Sequence, residues 1–276
     1  MLQICRLFGF TRQAHYKNQK KEKRMVMQHT IALELVEEIR ANMPRLGTIK
    51  LYHMLQESMR QHGIKMGRDK LYDLLNYYGL LIRRKRRRKP LTTDSDHPFF
   101  KYKNLIKNLQ ITYPNQVWVG DITYIRLING YCYLSWITDA FSRRIVGYFL
   151  NKDLASEGTI NALRMAIFNC PRKRSEKLIH HSDRGLQYCC REYIQLLNHH
   201  NIAISMTQNG DPYENAIAER VNGILKEEFG LFSAFKSLMD AQAAVDHAVR
   251  FYNEKRPHFS LNLQTPLQVH QATEIA

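Results

Sequence analysis

Cysteine is scarce in this sequence, and its spacing suggests no cross-link or metal site. The 276 residues include five cysteines, and no two of them form a C-x-x-C pair. An odd number without paired spacing favours neither a disulfide framework nor a cysteine-based zinc site. We therefore expect reduced thiols in a bacterial cytoplasm, with the adjacent Cys189 and Cys190 forming the buried and exposed sides of one helix.

Long apolar runs are also missing. No segment reaches the roughly 18 apolar residues of a membrane-spanning helix, and charges interrupt the opening residues, so neither a membrane anchor nor a signal peptide is predicted. Hydrophobic residues make up 44% of the chain, which is enough to build packed cores. These features exclude a membrane protein and a disordered chain.

Acidic residues are few in the first part of the chain. Residues 1–110 contain 24 Lys and Arg against 9 Asp and Glu, whereas residues 111–276 contain 17 against 16. Because Lys and Arg displace condensed counterions from nucleic acid, we expect the first part to bind DNA or another polyanion.

The basic part has helical periodicity. Gly9 is predicted to be a turn, and helices are predicted over 29–42, 46–62 and 68–78. The apolar face of the last helix would consist of Leu71, Leu74, Leu75 and Tyr78. Two helices joined by the turn HGIKMG are typical of a helix-turn-helix, whose second helix would present Arg68 and Lys70 to DNA. A helical bundle with a solvated basic face is the alternative.

Seven consecutive cations follow these helices. They are Arg83, Arg84, Lys85, Arg86, Arg87, Arg88 and Lys89. Such a run repels itself unless a phosphate backbone neutralises it, so DNA is the expected partner and a solvated tail is the alternative. Pro90 and the polar residues after it have the composition of a linker.

From about Asn115 the sequence is rich in strand-forming residues. The segments VWVGDITYIRL, NGYCYLSWITDAF and RIVGYFLNK predict a three-stranded antiparallel meander with turns at INGY and FSRR. A helix over 156–169, a strand at KLIHHSD, a helix over 187–200, a strand at IAISM and a helix from about Tyr213 are predicted next. This order favours an α/β fold with a mixed sheet flanked by helices.

Three acids in this second part suggest metal chemistry. Asp121 interrupts an apolar strand, where a carboxylate is costly to bury without a cation. Asp183 ends a strand, where an α/β sheet presents side chains to a cleft, and Glu219 lies among apolar residues of a helix. Carboxylate oxygens bind Mg²⁺ or Mn²⁺, and two such ions promote in-line displacement at phosphorus.

Each acid also has a structural alternative. A strand aspartate can satisfy a turn amide, HSDRG can form an Asx turn, and Glu219 can pair with a nearby cation of its own helix. His180 and His181 adjoin Asp183, but neighbouring strand residues point to opposite faces, so a shared role as metal ligands is not expected.

The acids and their surroundings resemble a known family. Asp121 precedes Asp183, and 35 residues separate Asp183 from Glu219, as in the D-D-(35)-E core of retroviral integrases and insertion-sequence transposases. The strings WVGDITYI, DAFSRRIVGY, HSDRGLQY, ENAIAERVNGILKEE and FYNEKRPHFSLNLQTPLQV resemble the second-frame (orfB) transposase of the IS-three family. The resemblance covers about residues 30–270.

The resemblance implies a ribonuclease-H-like mixed sheet preceded by a small all-α helix-turn-helix domain. It implies a DDE transposase that cleaves and joins DNA, with Asp121, Asp183 and Glu219 as catalytic residues that hold two Mg²⁺ or Mn²⁺ ions. The expected organisation is a DNA-binding region over 1–89, a linker over 90–112, and an integrase catalytic core with a C-terminal tail over 113–276.

Further residues and partners are carried over from the family. Lys226, two helical turns after Glu219, would bind DNA phosphate; a surface lysine is the alternative. Asn215, one turn before Glu219, would lie on the same face, orient Glu219 and belong to the DNA-binding residues. The expected partners are the element ends, target DNA, further copies of the chain on paired ends, and a first-frame product. A DNA-binding relative that does not cut and a nuclease that does not join are the alternative functions.

Neutralising the seven cations over 83–89 is expected to weaken binding to every DNA sequence alike, because phosphate contacts position a protein without specifying sequence. Each lost phosphate contact should reduce the log–log salt slope by about 0.9. The measurement is a titration of an element-end duplex and a scrambled duplex at matched salt. For comparison, substitution of Arg68 or Lys70 should instead relax discrimination between the element-end duplex and the scrambled duplex. A loss confined to the element end would contradict the assignment of the run.

Overall fold

The computed structural model describes Gly9 and residues 11–82, 98–170, 177–208 and 216–272. It divides into two compact units, Met1–Arg84 and Lys85–Ala276. The predicted basic run over 83–89 and Asn215 lie outside the described residues. The domain limits 1–89, 90–112 and 113–276 stay a prediction.

The described part of the first unit is helical. Its helices are α1 (Arg12–Asn42), α2 (Thr48–Gln61) and α3 (Arg68–Tyr77). The helix predicted from position 29 is the second half of α1, which begins earlier because the Thr11 hydroxyl accepts a hydrogen bond from Ala14 N–H at 3.1 Å and caps the helix. The predicted apolar face of α3 is partly wrong: its three leucines are buried, but Tyr78 is 52% exposed.

A five-stranded mixed sheet forms the centre of the second unit. Its strands are β1 (Val117–Leu127), β2 (Gly130–Asp139), β3 (Ile145–Asn151), β4 (Leu178–Ser182) and β5 (Ile202–Met206). The order is β3-β2-β1-β4-β5, with β1 to β3 antiparallel and with β4 parallel to both β1 and β5. The antiparallel meander and the ribonuclease-H-like mixed sheet are confirmed.

Helices follow and cover the sheet. They are α4 (Ser156–Phe168), α5 (Leu186–Cys189), α6 (Arg191–His199), α7 (Ala216–Glu228), α8 (Leu238–Glu254) and α9 (Pro266–Ala272). The single helix predicted over 187–200 is wrong. Cys190 has extended backbone angles, φ −67° and ψ 150°, so it separates α5 from α6, and the two adjacent cysteines do not lie on one helix.

Two apolar clusters pack against the sheet. One combines Trp118 and Ile137 with Leu163 of α4 and Leu197 of α6. The other is smaller and joins Val117, Val119 and Ala140 to Ala218 of α7. Helix α7 is therefore held to the sheet beside the centre of β1. Within the described part of the chain, no helix is both long and apolar enough to cross a membrane.

Helix α4 approaches the sheet most closely at Gly147 of β3. A Cβ atom at this position would overlap the carbonyl oxygen of Ala162 and lie 2.7 Å from the backbone nitrogen of Ala166. Both neighbours are backbone atoms of a packed helix, so they cannot move aside as a flexible side chain would. The absence of a side chain at Gly147 sets the distance between α4 and β3.

We expect Gly147→Ala to lower the free energy of unfolding by about 3 kcal/mol or more, because the added methyl group forces the helix away from the sheet. Gly223→Ala is the matched control, since Gly223 is an exposed position of α7 where a Cβ would meet open space, and helix propensity favours alanine by up to about 1 kcal/mol. Urea unfolding of both variants measures the difference. Equal stability of Gly147→Ala and the unsubstituted protein would contradict the close packing.

Candidate active site

Strand pairing brings two of the predicted acids together. In the parallel register of β1 and β4, Val119 pairs with His181. Asp121 lies two residues after Val119 in β1. Asp183 lies two residues after His181, directly beyond the end of β4. Neighbouring strands lie about 4.8 Å apart, so this register brings the two aspartates side by side at the end of β4.

The surroundings of Asp121 contain the other two acids and Lys226. The pKa of Asp121 is raised to about 8, first by the loss of water around it and then by the negative charge of Asp183. Glu219 raises it further, while the N–H of Ile122, which donates to Asp121 Oδ1 at 2.9 Å, and the charge of Lys226 lower it. Three charged groups, from the end of β4 and from α7, thus act on Asp121 of β1.

Asp183 does form the Asx turn of the structural alternative. Its Oδ1 accepts a hydrogen bond from Gly185 N–H at 3.0 Å. The turn fixes the direction of one carboxylate oxygen. The negative charge of Asp183 nevertheless raises the pKa of Asp121. The Asx turn is therefore compatible with a role beside Asp121.

Glu219 and Lys226 occupy the first and last turns of α7. Glu219 is exposed, although the preceding residue, Ala218, is fully buried against the sheet. The Lys226 ammonium lies over the ring of Tyr124, 4.1 Å from its centroid. This cation–π contact holds Lys226 near β1 and the acids, with its charge favourable to a phosphate group.

An ion pair that the sequence did not reveal fixes the end of α7. The Arg256 guanidinium donates to both carboxylate oxygens of Glu228, at 2.8 and 2.7 Å, and only 1% of its side chain is exposed. Removing one partner of a buried pair leaves an uncompensated charge, which costs about 3–5 kcal/mol. Arg256 therefore anchors the helix that carries Glu219 and Lys226.

The two adjacent histidines of β4 face opposite sides of the sheet, as predicted. His180 Nε2 lies 2.9 Å from the Tyr193 hydroxyl oxygen, and His181 Nδ1 lies 2.8 Å from Ser205 Oγ. Burial lowers the pKa of His180 to about 3, so its imidazole is neutral. The two imidazoles therefore have separate partners on opposite faces of the sheet.

A second buried aspartate, Asp139, was also missed. It accepts hydrogen bonds from Asn115 N–H at 2.6 Å, from Ser142 N–H at 2.7 Å and from the Ser142 hydroxyl at 2.6 Å. Ser142 Oγ lies 2.9 Å from His270 Nδ1. Although it contains Ser, His and Asp, this group is closed to solvent, so we assign it to the structure of the β2–β3 turn and not to catalysis.

The predicted DNA contacts of the first unit lie on α3. Arg68 and Lys70 are exposed in its first turn, and Arg68 donates to the neighbouring Asp69 at 2.8 Å. An exposed pair of this kind is weak and yields readily to a phosphate. The run over 83–89 and Asn215 are outside the described residues.

The donor set suits a hard divalent cation. Carboxylate oxygens are the ligands that Mg²⁺ and Mn²⁺ prefer, and Mg²⁺ retains water and takes further oxygens from a substrate phosphate. Across the described ranges, no three His, Cys, Asp or Glu side chains form a group that alone could hold an ion. The carboxylates of Asp121, Asp183 and Glu219 are donors of this kind.

Two family models match the second unit. Both are described as an integrase core domain, and they match residues 111–212 and 200–266. The fold and these matches define an integrase-core protein.

Relatives among insertion elements share most of the chain. The uncharacterized 31 kDa protein of insertion element IS600 from Shigella sonnei is 33% identical over 269 residues, covering 95% of this chain and 96% of that protein. Transposase InsF for insertion sequence IS3A from Escherichia coli K12 is 33% identical over 175 residues, covering 63% of this chain and 60% of that protein. The chain belongs to the IS-three family of insertion-sequence transposases. It is accordingly a nucleotidyl-transfer enzyme.

Solved structures with a similar fold are viral integrases. The integrase of the simian T-cell lymphotropic virus intasome, bound to a PP2A regulatory subunit, has a TM-score of 0.49 and 20% identity, covering 81% of this chain and 74% of that one. The catalytic core domain of the HTLV-2 integrase in complex with magnesium has a TM-score of 0.46 and 22% identity, and the match covers 57% of this chain and 97% of that one.

We expect Lys226→Ala to weaken binding to the element end and to lower strand joining while stability changes little. The reason is the loss of one phosphate contact, which should reduce the log–log salt slope of binding by about 0.9. Lys255→Ala, an exposed lysine at the end of α8, is the matched control. Binding titrations at several salt concentrations distinguish the two. Identical slopes for both variants would make Lys226 an ordinary surface lysine.

Proposed function

We propose that this transposase cleaves DNA at the ends of an insertion sequence and joins them to a target by two-metal phosphoryl transfer. Asp121, Asp183 and Glu219 are the proposed catalytic residues. The observation that carries the proposal is the parallel register of β1 and β4, which brings Asp121 beside Asp183 at the end of β4. The raised pKa of Asp121, caused by loss of water and by the charges of Asp183 and Glu219, agrees with this placement. Such an arrangement is unfavourable without a cation and is typical of functional sites.

Each acid would contribute ligand oxygens from a different element. Asp121 would do so from the middle of β1, Asp183 from the Asx turn after β4, and Glu219 from the first turn of α7. When bound, two divalent ions activate the attacking oxygen and stabilise the leaving oxygen of an in-line displacement. The same acids would position water or a 3′-hydroxyl as the nucleophile.

Lys226 would bind a DNA phosphate beside these carboxylates. Its ammonium already lies against Tyr124 and acts on Asp121, so a phosphate there would gain a cation at little conformational cost. The ion pair of Arg256 with Glu228 supports this role, because it fixes the last turn of the same helix.

The basic first unit would supply most of the DNA affinity and the recognition of element ends. The exposed Arg68 and Lys70 at the start of α3 and the cations over 83–89 support this part of the proposal. We further propose that copies of the chain act together on paired element ends, with a first-frame product as a candidate partner. The support for both is the family membership.

Two other functions would use the same fold. A relative that binds DNA without cutting needs no intact carboxylates, and all three are present here. A ribonuclease-H-like nuclease that only cleaves would not need the long basic region. A metal-dependent nicking assay separates the first alternative from the proposal, and a strand-transfer assay separates the second.

We expect Asp121→Asn, Asp183→Asn and Glu219→Gln each to abolish nicking and strand transfer while DNA binding and folding persist. Phosphoryl transfer depends on positioning and charge neutralisation, and loss of one ligand charge misplaces at least one ion. The three act as a unit, so single losses should be about as severe as the combined loss.

The matched control is Glu227→Gln, an exposed glutamate on the same helix as Glu219. It should retain full activity with an element-end duplex and Mg²⁺. If Glu219→Gln kept more than a few per cent of the strand-transfer rate, the assignment of Glu219 would be lost.

A further inference from the structure

The first half of α1, residues 12–27, is a helix without a packing partner among the described residues of its unit. Every residue in it is exposed or half-buried. From Gln28 onward the helix contacts the rest of the unit: the Gln28 side chain donates to Gly63 O at 3.4 Å, and Ala32 and Val36 are fully buried. Neither glycine nor proline interrupts α1, so its first half continues the axis of the packed half for about 24 Å.

The cations of this first half lie on one side of the helix. They are Arg12, Lys17, Lys20, Lys21, Lys23 and Arg24, and all of them are exposed. At about 3.6 residues per turn they occupy half of the helix circumference, with Lys20 near the middle. The one acid of residues 12–27, Glu22, lies on the opposite half together with Asn18. We call the side that carries the six cations the basic face.

The basic face is unfavourable to the helix that carries it. Side chains three or four residues apart are neighbours on a helix, and like charges at these spacings repel. The pairs of this kind are Lys17–Lys20, Lys17–Lys21, Lys20–Lys23, Lys20–Arg24 and Lys21–Arg24. Glu22 has no cation at these spacings, and the first turn, at the positive end of the helix dipole, contains no acid. A short helix without packing is marginal in water, so this one requires a partner that neutralises its cations.

The basic face ends where α1 enters the helical bundle. Glu34 and Glu38 lie on the same side of the helix as the six cations, and both are exposed. A polyanion is therefore attracted to the first half of α1 and repelled from the second. Such a partner would cross the helix and not follow its whole length.

The apolar residues of the first half argue against a second helix as this partner. The exposed Tyr16, Met25, Val26 and Met27 point to different sides of the helix and do not form the a/d repeat of a coiled coil. A second copy of the chain would also bring its own six cations. Duplex DNA instead carries one negative charge for about every 1.7 Å of its axis, which matches a dense row of cations.

We propose that the basic face of α1 binds the phosphate backbone of duplex DNA, as a sequence-independent contact separate from that of Arg68 and Lys70 on α3. The inference rests on the proposed function of the first unit in DNA binding. Phosphates between the cations would replace repulsion by attraction and hold residues 12–27 helical. Because α1 is one uninterrupted helix, the same contact would orient the bundle on the duplex.

The test neutralises the basic face and then restores the charge on the other side. The neutralised variant combines Lys17→Gln, Lys20→Gln and Arg24→Gln, since glutamine has a helix propensity close to that of lysine and arginine. The relocated variant adds Asn18→Lys and Glu22→Lys, which return one and two positive charges to the opposite half. Both full-length proteins are titrated with an element-end duplex and a scrambled duplex at several salt concentrations.

Both variants should bind the two duplexes more weakly, and to the same extent for each duplex. The log–log salt slope should fall by about 2.7, which is 0.9 for each of three lost phosphate contacts. DNA should slow hydrogen exchange of residues 12–27 in the unsubstituted protein and in neither variant. Without DNA, the neutralised variant should unfold at the same or a higher temperature, because repulsion within the helix is removed.

Three results would overturn the inference. Recovery of affinity and slope by the relocated variant would mean that net charge alone attracts DNA. A loss confined to the element-end duplex, or no loss at all, would remove the sequence-independent contact. A change of the molecular mass in solution on neutralisation would make the basic face a contact between copies of the chain.

Two further variants separate this inference from the proposed function. Asp121→Asn should bind both duplexes normally, and persistence of its strand transfer would overturn the proposed chemistry while the α1 contact stands. Neutralisation of the cations over 83–89 is measured beside the α1 variants. If it weakens binding and the neutralised α1 variant does not, only the α1 contact is overturned. If neither weakens binding, the proposed role of the first unit is overturned as well.

Discussion

The parallel pairing of β1 with β4 is the contact on which the proposed site depends. It sets Val119 opposite His181, and through that register it places Asp121 and Asp183 side by side where β4 ends. A shift of one residue would turn one of these aspartates to the other face of the sheet. The register is in turn fixed by the apolar residues of β1 that pack on both faces, so the core and the site are specified by the same strand.

The third acid comes from an element that the sheet alone does not fix. Helix α7 meets the sheet through Ala218, and its last turn is anchored by the buried pair of Glu228 with Arg256. Glu219 and Lys226 lie on this helix, at its first and last turns, so the anchoring of one end orients both. Glu219 is exposed, and the metal-binding role that we propose for it requires such an open approach for DNA.

Local patterns in the sequence predicted the features that depend on local physics. Strands β1 to β3 follow from β-branched and aromatic runs, and β5 occupies the predicted segment IAISM. The pairing of Arg256 with Glu228 spans 28 residues and that of Ser142 with His270 spans 128, so neither could be found from spacing along the chain. The break at Cys190 was missed because it depends on one extended residue and not on a glycine or proline.

The aspartates Asp139 and Asp121 differ in what their surroundings offer to a carboxylate. Asp139 accepts three hydrogen bonds from Asn115 and Ser142, which offset the loss of water around its carboxylate. Asp121 accepts one from Ile122 N–H and otherwise meets the negative charges of Asp183 and Glu219, so its charged form is disfavoured. Folding alone gives no reason for the second arrangement, whereas a divalent cation reverses the sign of each of these interactions. The unfavourable surroundings of Asp121, more than the spacing of the acids, support the metal-dependent chemistry that we propose.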